Sequence, residues 1–174
     1  MAVLEPRPER ILLPVRVGFM AWTIVLALAF NLLPWRDLRG VPDLVALVLA
    51  FWCVHQPRKM GIGVAWGVGL VMDAANGALF GQHALAYAVL AYAAQALHRR
   101  ILRFTVWQQA VQILVLLAAS QLLMLVTRLA AGGTYPGLSF FVGSLIAGML
   151  WPLATALLLA PQRRPATVDE TRPI

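Results

Sequence analysis

Few residues here can do chemistry, and Asp73 stands apart as the only acidic residue deep inside an apolar run. A carboxylate placed within a membrane costs from about 2.5 kcal/mol upward on insertion scales, so it turns toward protein and finds a partner. As a neutral or hydrogen-bonded group it ties helices together, the reading favoured by the scarcity of other ionisable groups. As a proton or substrate carrier it would need a relay of further carboxylates, and no pair of carboxylates is expected at one depth. His83 and His98 fall at opposite ends of one apolar segment, about 22 Å apart by helical rise, and His55 has no carboxylate or cysteine beside it. No metal set is expected from them. Cys53 is a single cysteine inside an apolar run, a packing residue with no disulfide to make.

The elements that must hold these residues are apolar. Of 174 residues 61% are hydrophobic and 12% charged, with a mean hydropathy of +0.78, whereas soluble domains run about 45–50% apolar and about 25% charged. Too little polar surface remains to cover a soluble domain. The fold class expected is an all-α polytopic membrane bundle of about six spans, at Val15–Leu33, Val41–His55, Gly61–Phe80, His83–Leu97, Val106–Ala131 and Leu138–Ala160. The second and fourth, about 22 Å long against a hydrocarbon core of about 30 Å, read as short spans or partly re-entrant segments. Residues 1–14 form a cytoplasmic segment, 15–160 the membrane domain, and 161–174 a disordered cytoplasmic tail. Ala27-Leu28-Ala29 has the small-x-small form of a signal-peptide cleavage site, but the apolar run continues through Leu33, as in an uncleaved anchor.

Basic residues set the orientation. Arg7, Arg10, Arg16, Arg58, Lys59, Arg99, Arg100, Arg103, Arg163, Arg164 and Arg172 fall on one side, and Arg36, Arg39 and Arg128 on the other. By the excess of cationic side chains in cytoplasmic loops, both termini lie inside. The net charge of +7 therefore needs no nucleic acid; the basic residues sit in twos and threes between apolar runs rather than on one face with stacking aromatics. The surrounding partner is the lipid bilayer, whose anionic headgroups the inner arginines attract. Trp22, Trp35, Trp107 and Tyr135 fall near segment ends, where interfacial aromatics sit.

Packing is the stronger signal. Gly61, Ala65, Gly69, Asp73, Gly77 and Gly81 form an i, i+4 row, with Gly63 and Gly67 beside it. Small residues at this spacing let helix backbones approach within a bilayer, inside the bundle or against a partner's helix. Counting from the inner ends, Asp73 lies roughly 18 Å deep and Asn31, Asn76, Ser120 and Gln121 roughly 21–24 Å deep, a candidate buried polar layer. Gly137-Leu138-Ser139 has a faint likeness to the serine of intramembrane proteases, but no histidine matches its depth, and Ser139, Gly143 and Ala147 read as a packing row. There is no phosphate loop and no HExxH. No catalytic residue, metal or cofactor is expected, and the chain is read as no enzyme.

The stretch Gly69-Leu70-Val71-Met72-Asp73-Ala74-Ala75-Asn76-Gly77-Ala78-Leu79-Phe80-Gly81-Gln82-His83-Ala84-Leu85 resembles the central motif of the MreD family of rod shape-determining proteins. Pro42-Asp43-Leu44, followed by Phe51-Trp52, is similar to the second helix of that family. The resemblance implies a non-catalytic inner-membrane scaffold in bacterial cell-wall elongation. Its implied companions are the single-span protein MreC, MreB-type filaments, and a wall-synthesis glycosyltransferase and transpeptidase. The alternative is a membrane-embedded substrate-binding subunit of an energy-coupling vitamin importer, similar in size and span number. The alanine-xxx-alanine contact expected there reads Ala21, Val25, Ala29, with the alanines eight apart.

Overall fold

Apolar runs punctuated by Gly, Pro and capping residues become seven α-helices in a computed structural model that describes residues 15–33, 40–77 and 81–162. They are α1 Val17–Asn31, α2 Leu44–His55, α3 Ile62–Asn76, α4 Gln82–Ile101, α5 Val106–Ala130, α6 Val142–Met149 and α7 Trp151–Leu159, with 3-10 turns at Leu138–Phe141 and Ala160–Gln162. Among the described residues there is no strand. The segments 1–14 and 163–174, Trp35, Arg36 and Arg39, and Ala78-Leu79-Phe80 lie outside the described residues.

Two boundaries differ from expectation, each for a local reason. The third segment does not run to Phe80. Gly77 adopts φ +58 and closes α3, and Gly81 at φ +102 precedes α4, a conformation in which side chains with a Cβ are strained. The fourth helix starts at Gln82 and runs on past Leu97 to Ile101, reaching 20 residues, about 30 Å, where about 22 Å was expected. The sixth segment breaks at Leu150, and α6 and α7 meet at 43°. Pro152 has no N–H to continue the helical ladder and its ring crowds the preceding turn, so the axis turns there.

By length and composition α5, at 25 residues, is long and apolar enough to cross a membrane, and the bent α6–α7 pair is too if it counts as one span. Helices α1, α2 and α3 are apolar but have 15, 12 and 15 residues, about 22, 18 and 22 Å. The start of α5 is fixed by a capping box, in which the Gln108 side chain accepts from the Thr105 N–H at 3.1 Å.

The C-terminal end of α1, the start of α2, the end of α3, the start of α4 and the end of α5 gather around one cavity. Helix α2 is the axis of the packing: Val45, Ala46, Leu47 and every residue from Leu49 to Val54 are buried. Helices α1, α4 and α7 pack around it. The Trp52 indole donates to Thr23 Oγ1 at 2.9 Å, and Phe51 stacks on His55 with ring centroids 4.1 Å apart. Trp151, at the bend, is fully buried and donates to Gln109 Oε1 at 3.2 Å. Cys53 is buried within α2 as expected of a packing residue. Helix α3 packs chiefly on α4. The outward faces carry Trp22, Val111, Val115, Leu122, Val126, Met149 and Leu157 in the open, an apolar exterior that suits lipid rather than water.

Candidate functional site

Helix α4 begins without a side chain to cap it, because Gly81 occupies the N-cap position. The first turn of any helix presents N–H groups with no intrahelical acceptor. Asp73 supplies the acceptors from the neighbouring helix: Oδ2 accepts from the Gly81 N–H at 2.9 Å and the Ala84 N–H at 3.3 Å, and Oδ1 from the His83 N–H at 2.8 Å. Oδ1 also pairs with His83 Nδ1 at 2.7 Å. Negative charge at a helix N-terminus is favoured by the aligned peptide dipoles as well. Gly69, one turn before Asp73 on the same face, is what allows this reach. A Cβ there would lie 2.4 Å from Ala84 Cα and 2.6 Å from Ala84 N, so the α3 and α4 backbones touch.

One turn along α4 a second carboxylate is held. Tyr87 donates its hydroxyl to Asp43 Oδ2 at 2.7 Å, while Asp43 Oδ1 accepts from the Asn31 side-chain amide at 2.8 Å and, as the N-cap of α2, from the Ala46 N–H at 3.0 Å. The Leu44 N–H donates back to Asn31 Oδ1 at 3.3 Å. The His83 and Tyr87 rings meet edge to face, centroids 5.9 Å apart. Asp43 and Asp73 are thus held by residues on adjacent turns of α4. Pro42-Asp43 before an apolar run was a readable N-cap signal; that Tyr87 would meet Asp43 from 44 residues away was not. The Tyr87→Phe variant leaves Asp43 one charge-assisted bond short and should lose about 1.5–3 kcal/mol, read as a lowered thermal midpoint in detergent.

Above these groups lies an open cavity of about 830 Å³. Asn31, Asn76 and Gln121 of the expected polar layer line it, together with Asp43, His83 and Arg128. Asp73 is buried under His83 rather than on the cavity wall, and Ser120 lies off that wall beside a small void it shares with Asp43 and Gln121, its hydroxyl 3.5 Å from the Ala86 carbonyl. The expected small-residue row faces α4 from Ala65 through Gly69 to Asp73, all three buried. Gly61 caps the start of α3, while Gly77 and Gly81 are turn residues rather than steps of a helical row. Of the second small-residue row, Gly143 lies where a Cβ would be 2.6 Å from the Val41 carbonyl oxygen. Among the described residues no group of three or more His, Cys, Asp or Glu could hold a metal ion.

The polar centre and its glycines occupy the stretch on which the likeness to rod shape-determining proteins rests. The family model "rod shape-determining protein MreD" matches residues 10–160, nearly the whole helical part. The chain belongs to the MreD family. A curated relative, the rod shape-determining protein MreD of Haemophilus influenzae, is 24% identical over 144 residues, covering 80% of this chain and 88% of that protein. No solved structure matches. Within this MreD-family chain the motif has a physical reading: Gly69 is the point of backbone contact, Asp73 the cap of the following helix, Gly77 the left-handed cap that ends α3 and Gly81 the N-cap of α4. Family membership also decides against the vitamin-importer subunit, which rested on size and span number alone.

Proposed function

We propose that the protein is a non-catalytic, multi-pass subunit of the bacterial inner membrane that maintains rod shape as a scaffold of the wall-elongation machinery, acting with an MreC-like single-span protein. The observation that carries this reading is the family match over residues 10–160. The polar centre supports it, since the carboxyl oxygens of Asp43 and Asp73 accept bonds from the protein's own helices and so hold the bundle together. Contacts with MreB-type filaments, a glycosyltransferase and a transpeptidase belong to the same proposal. The face of α3 away from α4 suits a partner's transmembrane helix, because Gly63 and Gly67 have nothing within 4 Å of a built Cβ.

Six spans with both termini inside fit this role. The α4 and α5 helices have membrane length, α6–α7 makes one bent span, and the short α1–α3 are accommodated by local thinning of the bilayer around an apolar exterior. A reporter that fluoresces only in the cytoplasm should light up when fused at Met1 or at Ile174, and one active only in the periplasm should work when inserted between Thr134 and Gly137. Opposite signals from the two termini would sink the six-span layout. The partner assignment is tested by affinity capture of the full chain from membranes, which should bring down the single-span wall-elongation protein in a stoichiometric band. Cells depleted of the protein should lose their rod shape; unchanged cell shape on full depletion would overturn the scaffold role.

A further inference from the structure

The cavity has a floor and a mouth of opposite electrical character. At the floor, Asp43 and Gln121 line the cavity, and Asp43 brings a carboxylate to it. At the mouth, Arg128 in the last turn of α5 faces the same space and forms no ion pair among the described residues. Gln121 and Arg128 are seven residues apart on one face of α5, about 10 Å along the axis. Between them the wall is apolar, with Leu32, Met72, Met124 and Phe140. The volume of about 830 Å³ falls in the range of small-molecule sites, about 300–1,000 Å³.

We infer that this cavity is a binding site for a small zwitterion, whose amine meets Asp43 at the floor and whose anionic group meets Arg128 at the mouth. Charge complementarity at both ends selects against a purely anionic or purely cationic ligand, because each would place like charge against one end of the site. The polar, carboxylate-bearing floor also excludes an acyl chain. The separation suits a molecule of dipeptide length with a free amine and a free carboxylate. The ammonium and phosphate of a phosphatidylethanolamine headgroup offer the same chemistry from the lipid side. The inference stands on the cavity alone and needs none of the partner assignments above.

The test uses the full chain in nanodiscs of phosphatidylglycerol, titrated with alanyl-leucine, N-acetyl-alanyl-leucine and alanyl-leucinamide. Alanyl-leucine should saturate at or below about 10 mM, and blocking either terminus should weaken binding by about tenfold or more. In Arg128→Gln, where no ion pair among the described residues is lost, alanyl-leucine and its amide should bind within about twofold of each other while the N-acetyl form stays weak. In nanodiscs containing phosphatidylethanolamine, unchanged binding of alanyl-leucine assigns the site to the soluble zwitterion. Competition by that lipid, with its selective retention over phosphatidylglycerol in native mass spectrometry lost in Arg128→Gln, assigns it to the headgroup. Equal binding of all three peptides, or neither saturation by alanyl-leucine nor selective lipid retention, overturns the inference.

Discussion

Gly69→Leu should strip the protein from the membrane fraction and round the cells that depend on it. The reason is the α3–α4 contact, where even a methyl group at Gly69 would stand 2.4 Å from Ala84 Cα. Overpacking against side chains costs about 1–3 kcal/mol, but here the obstacle is backbone, which cannot rotate away. The helices must separate, and separation also withdraws Asp73 from the N–H groups of Gly81, His83 and Ala84. Gly67→Leu is the control, because a Cβ there meets nothing within 4 Å. It should leave protein amount unchanged, and if a partner's helix docks on that face it should lose partner capture alone. Normal amounts and normal shape with Gly69→Leu would show that α3 and α4 do not approach as closely as described.

The second large effect is graded. Asp73→Leu removes an acceptor of three backbone bonds and one histidine bond, and should cost about 3–5 kcal/mol, as when one partner of a buried charged network is deleted. Read from the sequence alone, a structural tie would tolerate asparagine. The geometry changes that expectation: both carboxyl oxygens face N–H donors, so one of them becomes an NH₂ opposed to another donor. Asp73→Asn should therefore be intermediate, losing about 1–3 kcal/mol, with membrane amounts between those of the native protein and Asp73→Leu. A proton-carrying Asp73 would behave otherwise, with Asp73→Asn as inactive as Asp73→Leu at normal amounts and normal assembly. That result would refute the structural role.

What could be read in advance followed local physics. The apolar runs at Val106–Ala131 and His83–Leu97 are properties of contiguous residues, and helices form over both. The importance of Asp73 was also legible, because an acidic residue in an apolar run has no cheap alternative to pairing. Its partner was not. Extending the third helix to Phe80 hid the turn, and without the turn His83 lies ten residues from Asp73 with no reason to return to it. Gly77 and Gly81 were counted as steps of a small-residue row, though glycines four apart equally mark the two ends of a tight connection. The Pro152 bend was a local signal overlooked in a long apolar run. The cavity could not be anticipated, since its walls come from α1, α3, α4, α5 and the turn at Leu138–Phe141.

The placement of α2 at the axis bears on how the protein is made. Its neighbours in space include α4 and α7, both synthesised after it, and the carboxylate at its start waits for a hydroxyl encoded 44 residues later. At about 5–20 residues per second, the ribosome keeps Asp43 without Tyr87 for about 2–9 seconds. During that interval a 12-residue helix shorter than the hydrocarbon core, with an aspartate at its cap, must be sheltered by the insertion machinery or held at the membrane surface. Nascent chains arrested before Tyr87 emerges should therefore remain crosslinked to the insertase, and chains arrested after α4 is complete should be released into lipid.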